Sequence, residues 1–315
     1  MTQIGLLILV VLGAIKAYLI LTTGVCTSTK KLTGKTVIIT GANTGIGKET
    51  ALDLAKRGAR VILACRDPKK AAIAKEDIIR ESRNKNVFIR QLDLTSLKSV
   101  RKFAADILKS ELRLDILINN AGCATIEKKL TEDGLEVQMQ SNHFGHFLLT
   151  NLLLGNVRII NVSSTAHRWI KKLNLDDLTF ERDPSDNKIL NIYGITKLCN
   201  VLFSKELAKK LEPFGVTVNC LHPGAVKTEI FRNAPTWFQI IAAVCIPLFF
   251  KSAKEGAQTS IHLAVADEVA NVTGEYFSDC KIAKTSKLAK DLELAKQLWE
   301  VSETFVKLKP EERHF

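Results

Sequence analysis

Short runs of β-branched and aliphatic residues alternate along the chain with longer stretches whose apolar positions recur at helical spacing. The short runs predict strands over residues 36–40, 60–64, 87–92, 116–119, 158–162, 216–221 and 275–277. The periodic stretches predict helices over 46–57, 68–83, 96–109, 134–154, 193–211 and 253–266. Strand and helix in regular alternation demand a parallel sheet, because each parallel crossover needs a helix and the helices must cover both faces. The expected fold class is α/β, a doubly wound parallel sheet. No internal repeat and no linker rich in Pro, Gly or Ser divides it, so a single domain is expected.

Residues 4–21 break this pattern, being apolar almost throughout, with only Lys16 and the small Gly13 and Ala14 interrupting. Eighteen helical residues span about 27 Å, enough for a thin bilayer. A cleaved signal would begin with basic residues and end in a small-x-small exit, whereas no charge precedes Lys16 and the exit reads Thr22-Thr23-Gly24-Val25-Cys26. The expected organisation is an uncleaved N-terminal membrane anchor over 1–24 and a catalytic domain over 25–315. Lys16, Lys30, Lys31 and Lys35 lie toward or beyond the C-terminal end of the anchor, which places the domain on the cytosolic side. A second apolar run, 237–250, contains Pro247 and is too short to span. It reads either as core or as an interfacial segment covering a pocket for a lipophilic substrate.

Composition narrows the function classes. With 46% hydrophobic and 25% charged residues the chain is neither disordered nor collagen-like. A formal net charge of +12 favours anionic partners such as lipid headgroups or a phosphorylated cofactor. Its cations are dispersed and only 6% of residues are aromatic, which speaks against nucleic acid. The seven cysteines are scattered, without a C-x-x-C pair or a His/Cys cluster at zinc-ligand spacing, so neither a disulfide framework nor a metal is expected. Free thiols suit a reducing compartment.

The first predicted strand ends in Thr40-Gly41-Ala42-Asn43-Thr44-Gly45-Ile46-Gly47 and leads directly into a helix. Glycines at these spacings allow a tight turn and close approach to a pyrophosphate, at which the helix N-terminal amides then point. That is the dinucleotide site of a Rossmann fold. At the end of the second strand an acidic residue would hold the adenosine ribose and a basic one a 2′-phosphate. Here the order is Ala64-Cys65-Arg66-Asp67, with Lys48 just beyond the glycines, and two cations at that corner favour NADP over NAD. Asp67 is the competing feature, able to pair with Arg66 or bind the ribose itself.

Tyr193-Gly194-Ile195-Thr196-Lys197 places a phenol and an ammonium four residues apart on one helix face. A nearby ammonium is expected to lower the tyrosine pKa, so that the phenol exchanges a proton with a carbonyl or an alcohol. Ser164, at the end of the fifth strand in Asn161-Val162-Ser163-Ser164, is placed to bond the same oxygen. Strand C-terminal ends are where open parallel sheets bind ligands, so these signals converge on one crevice.

With these residues in place, the chain resembles the short-chain dehydrogenase/reductase superfamily, and within it the membrane-anchored retinol dehydrogenases of the 11 to 14 type. The superfamily resemblance rests on the glycine motif, Asn119-Asn120-Ala121-Gly122 and the adenine-side Asp93-Leu94. The subgroup resemblance rests on Gly45-Ile46-Gly47-Lys48-Glu49-Thr50, Ala64-Cys65-Arg66-Asp67, Asn142-His143-Phe144-Gly145-His146-Phe147, Glu255-Gly256-Ala257-Gln258-Thr259-Ser260 and Tyr276-Phe277-Ser278-Asp279-Cys280. The resemblance implies a catalytic tetrad of Asn142, Ser164, Tyr193 and Lys197. In it Tyr193 is the general acid/base, Ser164 the partner of the carbonyl oxygen, Lys197 the cation on the ribose, and Asn142 the holder of a water relay. It implies cofactor contacts from Gly41, Asn43, Thr44, Gly45, Ile46, Gly47, Arg66, Asp93, Leu94, Asn120, Tyr193 and Lys197, and from Pro223, Gly224, Val226 and Thr228 beside the nicotinamide. His143, His146 and His222 read as packed or pocket-lining rather than catalytic.

The implied activity is NADP-dependent interconversion of retinol, or a similar lipophilic primary alcohol, with its aldehyde. The alternatives are reduction of other lipid aldehydes, ketones or steroids, or a catalytically weak cofactor-binding scaffold. The implied location is the endoplasmic reticulum membrane, or the mitochondrial membrane, with the domain in the cytosol in the former case. One departure stands out. Related chains carry about ten more residues between Leu152-Leu153-Leu154 and Arg158, where this chain has Gly155-Asn156-Val157. The helix bearing Asn142 is therefore expected to end two to three turns early. Because that helix packs against its partner in family dimers, a weak homodimer or a monomer is expected.

Overall fold

The computed structural model describes residues 21–125, 128–181, 189–226 and 250–314, together with Val10, Gly13, Ala14 and Ala17. Its elements in chain order begin β1 (Thr36–Thr40), α1 (Gly45–Lys56), β2 (Arg60–Cys65), α2 (Pro68–Ser82), β3 (Val87–Gln91), α3 (Leu97–Ser110) and β4 (Ile116–Asn119). After β4 come two short helical turns, Val137–Met139 and Gln140–Phe144, running straight into α4 (Gly145–Leu152). The chain then forms β5 (Arg158–Val162), α5 (Ile189–Leu211), β6 (Val218–His222), α6 (Ala253–Val265), β7 (Tyr276–Ser278), β8 (Lys281–Ile282) and α7 (Leu292–Phe305).

The strands make one sheet in the order β3-β2-β1-β4-β5-β6-β7-β8. All neighbours pair in parallel except β7 and β8. Every residue of β1 is buried, as a strand covered on both faces requires. Alternation then sorts its side chains. Ile38 belongs to the apolar cluster packed by α3, α4, α5 and α7, whereas Val37 and Ile39 belong to the cluster packed by α1, α2 and α6. The two clusters are the two layers of a doubly wound fold. Chain order reverses between β1 and β4, and this switch point opens a crevice at the strand C-termini.

Several features differ from the sequence expectation, among them the start of α5 at Ile189 rather than at 193. The helix predicted to start at Gly134 starts later, because Gly134 has φ +75° and sits in a turn where its N–H bonds Thr131 O and Leu135 O accepts from Thr131. It also ends at Leu152, short of Leu154. β8 and α7 were not anticipated. Among the described residues no helix is long and apolar enough to cross a membrane, and most of 1–20 and of 237–250 lies outside those residues.

Candidate functional site

The glycine loop is shaped by close approach. Gly41 and Gly45 have φ of +65° and +55°, open to glycine at no steric cost. A Cβ on Gly47 would lie 2.5 Å from the Gly41 carbonyl oxygen and 2.6 Å from Asn120 Nδ2. Thr44 caps α1 without a side-chain bond to its amides, and no acidic residue occupies the first turn. The first turn of the helix thus keeps its amides clear of a side-chain cap at the positive end of the helix, a cradle that fits a pyrophosphate. Asn120 anchors the far wall: its Nδ2 donates to Thr40 O (2.8 Å), and the N–H groups of Asn120 and Ala121 both donate to Thr40 Oγ1 (2.9 Å each). Ile46, Gly256 and Val226 meet beneath the loop, where a Cβ on Gly256 would be 2.6 Å from Val226 and 3.2 Å from Ile46.

Asn142 lies in the wide turn before α4. There the Gly145 N–H bonds Gln140 O, five residues back, so one more residue than usual fits in the turn. The Asn142 side chain is fully buried. It accepts from Cys123 N–H (2.8 Å) and donates to Cys123 O (2.9 Å) and Thr196 Oγ1 (3.1 Å). Gly122 keeps the space beside it open, since a Cβ there would sit 3.4 Å from Lys197 Nζ and 3.5 Å from Asn142 Oδ1.

Lys197 is buried on α5, its Nζ donating to Val162 O (3.1 Å) and lying 5.5 Å from the Tyr193 ring centroid. Burial pulls the ammonium down to about 8. Burial pushes the Tyr193 phenol up to about 12, with the Ser164 hydroxyl pulling it back part of the way. Ser164, two residues beyond β5, caps the following turn, its Oγ accepting from Ala166 N–H (3.2 Å). Two imidazoles fix that turn: His167 Nδ1 pairs with Ser164 O (2.6 Å), and His222 Nδ1 accepts from Thr165 N–H (3.3 Å). Ser163 Oγ donates to Lys197 O (2.7 Å), tying β5 to the helix that carries both Tyr193 and Lys197. The structure therefore gathers Asn142, Ser164, Tyr193 and Lys197 at the strand C-termini, a phenolic proton and a hydroxyl beside a buried cation, suited to proton exchange at a carbonyl or alcohol oxygen.

Residues 35–171 match the sequence profile of the family described as short chain dehydrogenase. Human retinol dehydrogenase 13 is 47% identical over 297 residues, covering 91% of this chain and 89% of that protein. Mouse retinol dehydrogenase 12 is 45% identical over 285 residues, with coverage of 89% and 88%. The chain is a short-chain dehydrogenase/reductase. It falls in the retinol dehydrogenase 11 to 14 subgroup, since human retinol dehydrogenase 11 is also 43% identical over 90% of the chain. An uncharacterised protein from Mycobacterium paratuberculosis has the same fold, with TM-score 0.74 at 33% identity over 90% of this chain and 98% of that one. A Pseudomonas aeruginosa RhlG structure, described as an NADP active-site complex, superposes with TM-score 0.61 at 26% identity over 78% of this chain and 95% of that one.

At the adenosine corner of this dehydrogenase/reductase, Arg66 is exposed and makes no hydrogen bond or ion pair with any described residue. Asp67 does not pair with it. One carboxylate oxygen of Asp67 caps α2, accepting from Lys69 N–H (2.9 Å) and Lys70 N–H (3.1 Å). The expected second cation, Lys48, is ion-paired, its Nζ lying 2.6 Å from Asp77 on α2. Asp93 follows β3, and its Oδ1 accepts from Thr95 N–H (2.9 Å) and Thr95 Oγ1 (2.6 Å). Leu94 is buried against Gly145, whose Cβ would meet Leu94 O at 2.6 Å.

Pro223 and Gly224 follow β6, Gly224 with φ +94°, and Val226 bridges in parallel to Lys251. Thr228 lies outside the described residues. The phenol also departs from expectation: its pKa is raised and not lowered, because burial strips the phenolate of solvent and only the Ser164 hydroxyl pulls the other way. His143 and His146 are buried neutral bases, pulled to about 4 and about 3, and His222 is drawn to about 4. Sequence reading gave no positioning role to Thr40 and Thr196, although both stand within its motifs, and it missed His167. Thr40 carried a signal as the last strand residue before the glycines, and Thr196 carried one as the residue before Lys197.

Proposed function

We propose that this protein is an NADP(H)-dependent oxidoreductase interconverting retinol, or a similar lipophilic primary alcohol, with its aldehyde. The observation that carries the reading is the meeting of Ser164, Tyr193 and Lys197 beside the glycine cradle, in a chain that matches retinol dehydrogenases over nine-tenths of its length. The NADP preference is supported by Arg66, an exposed cation that pairs with none of the described residues at the corner where Asp67 and Lys48 are otherwise engaged. The glycine loop, Asp93, Leu94, Asn120 and the 223–226 segment, with Thr228 by resemblance, would hold the dinucleotide.

The chemistry follows from protonation states. When bound, the reduced nicotinamide supplies a hydride to the carbonyl carbon. The Ser164 hydroxyl bonds the carbonyl oxygen, and the Tyr193 phenol, which keeps its proton at neutral pH, delivers that proton as negative charge develops there. Lys197 sits beside the phenol and would hold the ribose while stabilising the phenolate left behind. In the oxidative direction the same phenolate takes the alcohol proton. Asn142 acts by holding Cys123 and Thr196 in register around the cation, and it is the residue from which a water relay would be held. An anchor over 1–24 in the endoplasmic reticulum membrane, with the domain in the cytosol, supplies the lipophilic substrate from the bilayer; the mitochondrial membrane is the alternative.

Retinaldehyde reduction by NADPH, measured on the full chain and on Tyr193→Phe, tests the proposal. The variant should lose about 10²–10⁴-fold in kcat with cofactor affinity unchanged. No turnover of retinaldehyde by the wild-type chain, or a variant retaining more than about a tenth of kcat, overturns it.

A further inference from the structure

The N-terminal apolar stretch leaves the domain at a defined place. Gly24 N–H donates to Asp279 Oδ1 (3.0 Å), and a Cβ on Gly24 would lie 2.1 Å from the Asp279 carbonyl oxygen, so the chain is pressed onto the turn between β7 and β8. Lys251, where the chain returns after the second apolar run, pairs with the same carboxylate. This turn is at the C-terminal end of β7, the same edge of the sheet as the crevice.

Beside it stands an unusual surface. Arg168 donates from its guanidinium to Lys284 O, and Ser286 N–H donates to His167 Nε2 (3.3 Å), joining the turn after Ser164 to the segment after β8. Arg168, Lys171, Lys172 and Lys284 are exposed, and neither 165–172 nor 280–290 contains a carboxylate. Between these cations Trp169 is 63% exposed and Ile282 is 59% exposed. Bare aromatic and aliphatic side chains among cations that make no ion pair with the described residues suit a headgroup layer, where the ring enters the interface and the cations meet phosphates.

We infer that this face docks on an anionic bilayer, as a second contact beyond the N-terminal anchor. The inference rests on the membrane reading above. A second copy of the chain fits less well, because each copy carries +12 and the segments 165–172 and 280–290 of this face carry only basic charge. Docking turns the crevice toward the bilayer, since Trp169 follows Ser164 by five residues. A lipophilic alcohol then reaches Tyr193 without crossing water.

Amide hydrogen exchange of the full chain on phosphatidylcholine vesicles, with and without phosphatidylserine, tests this, with co-sedimentation measured alongside. Exchange at 168–172 and 281–287 should slow on phosphatidylserine vesicles by about tenfold or more, as each basic side chain near such a surface adds about fivefold in partitioning. The pair Lys171→Glu and Lys172→Glu should abolish that slowing while the protein still pellets with both vesicle types. Pelleting with unchanged exchange in the wild-type chain overturns the docking face and leaves the anchor standing. Failure to pellet with either vesicle overturns both. Slowing that instead appears in detergent and grows with protein concentration assigns the face to chain–chain contact and overturns the inference.

Discussion

Asn142 grips the backbone of Cys123 at two points, accepting from its N–H at 2.8 Å and donating to its carbonyl at 2.9 Å. The pairing joins the loop after β4 to the wide turn before α4, and Nδ2 continues to Thr196 on the helix that carries Tyr193 and Lys197. One amide therefore holds three chain segments around the cation. Its own carbonyl pairs with His146 Nδ1 (3.1 Å), and His146 Nε2 in turn pairs with Thr40 Oγ1 (2.9 Å) at the start of the glycine loop. The nucleotide cradle and the proton-transfer groups are thus linked by one chain of hydrogen bonds.

Asn142→Ala should cost about 1–3 kcal/mol of stability, the penalty for leaving polar groups unpaired away from water. It should lower kcat more than it raises KM, because what it loses is alignment. Denaturant midpoints and steady-state kinetics read the two effects. An unchanged midpoint would mean that the Cys123 backbone finds other partners.

Arg66→Gln should weaken NADPH binding about tenfold or more and leave NADH nearly unaffected, because a charge-assisted bond to a phosphate contributes about 1.5–3 kcal/mol. Parallel titrations of both cofactors decide it. Equal losses would make Arg66 a general anchor and remove the argument for NADP.

Acid should destabilise the fold through His143 and His146. Their folded pKa values, about 4 and about 3, are depressed by burial below the ordinary histidine value of 6.5. Between these values the unfolded chain binds more protons, so stability is full above the unfolded pKa and falls as pH drops below it. Each imidazole contributes a slope of about 1.4 kcal/mol per pH unit. Urea unfolding free energies from neutral pH to about pH 5 should show this slope, and His143→Asn should remove one share of it. A flat profile would rule out both residues as the source.

How much of this could be read in the sequence depends on distance along the chain. Strands β1, β4 and β5 match their expected limits because β-branched runs between turn residues are local signals. The glycine loop and the Tyr193–Lys197 pair were legible for the same reason, each being a spacing within one element. The Lys48–Asp77 pair was not, because 29 residues separate its members and only the packing of α1 on α2 brings them together. The phenol pKa was misread on similar grounds: spacing reveals a neighbouring cation but not the burial that raises the phenol. α7 did carry a local signal, since Leu294, Leu298, Trp299, Ser302 and Phe305 recur at helical spacing behind the cap Asp291, and that pattern was passed over.

That overlooked helix bears on assembly. In α4 every residue from Gly145 to Asn151 is already buried within the protomer. Part of the cover is α7: Trp299 stacks on Phe203 of α5 at 5.8 Å and meets Phe147 of α4 at 4.8 Å, while Phe305 lies 4.9 Å from Phe144. His143 Nε2 pairs with Ser302 Oγ (2.9 Å), and Arg101 of α3 binds Glu312 just beyond α7 with two bonds of 2.7 and 2.9 Å. The chain thus lays α7 on the surface of α4, the face expected from the family resemblance to pack against a partner. A standard interface needs about 800 Å² from each partner. The expected outcome in detergent at micromolar concentration is a monomer by sedimentation. Removing the apolar grip with Trp299→Ala should loosen α7 and raise self-association, because the faces of α4 and α5 are then uncovered. A tight wild-type dimer whose contact maps to α4 would overturn this account of the helix.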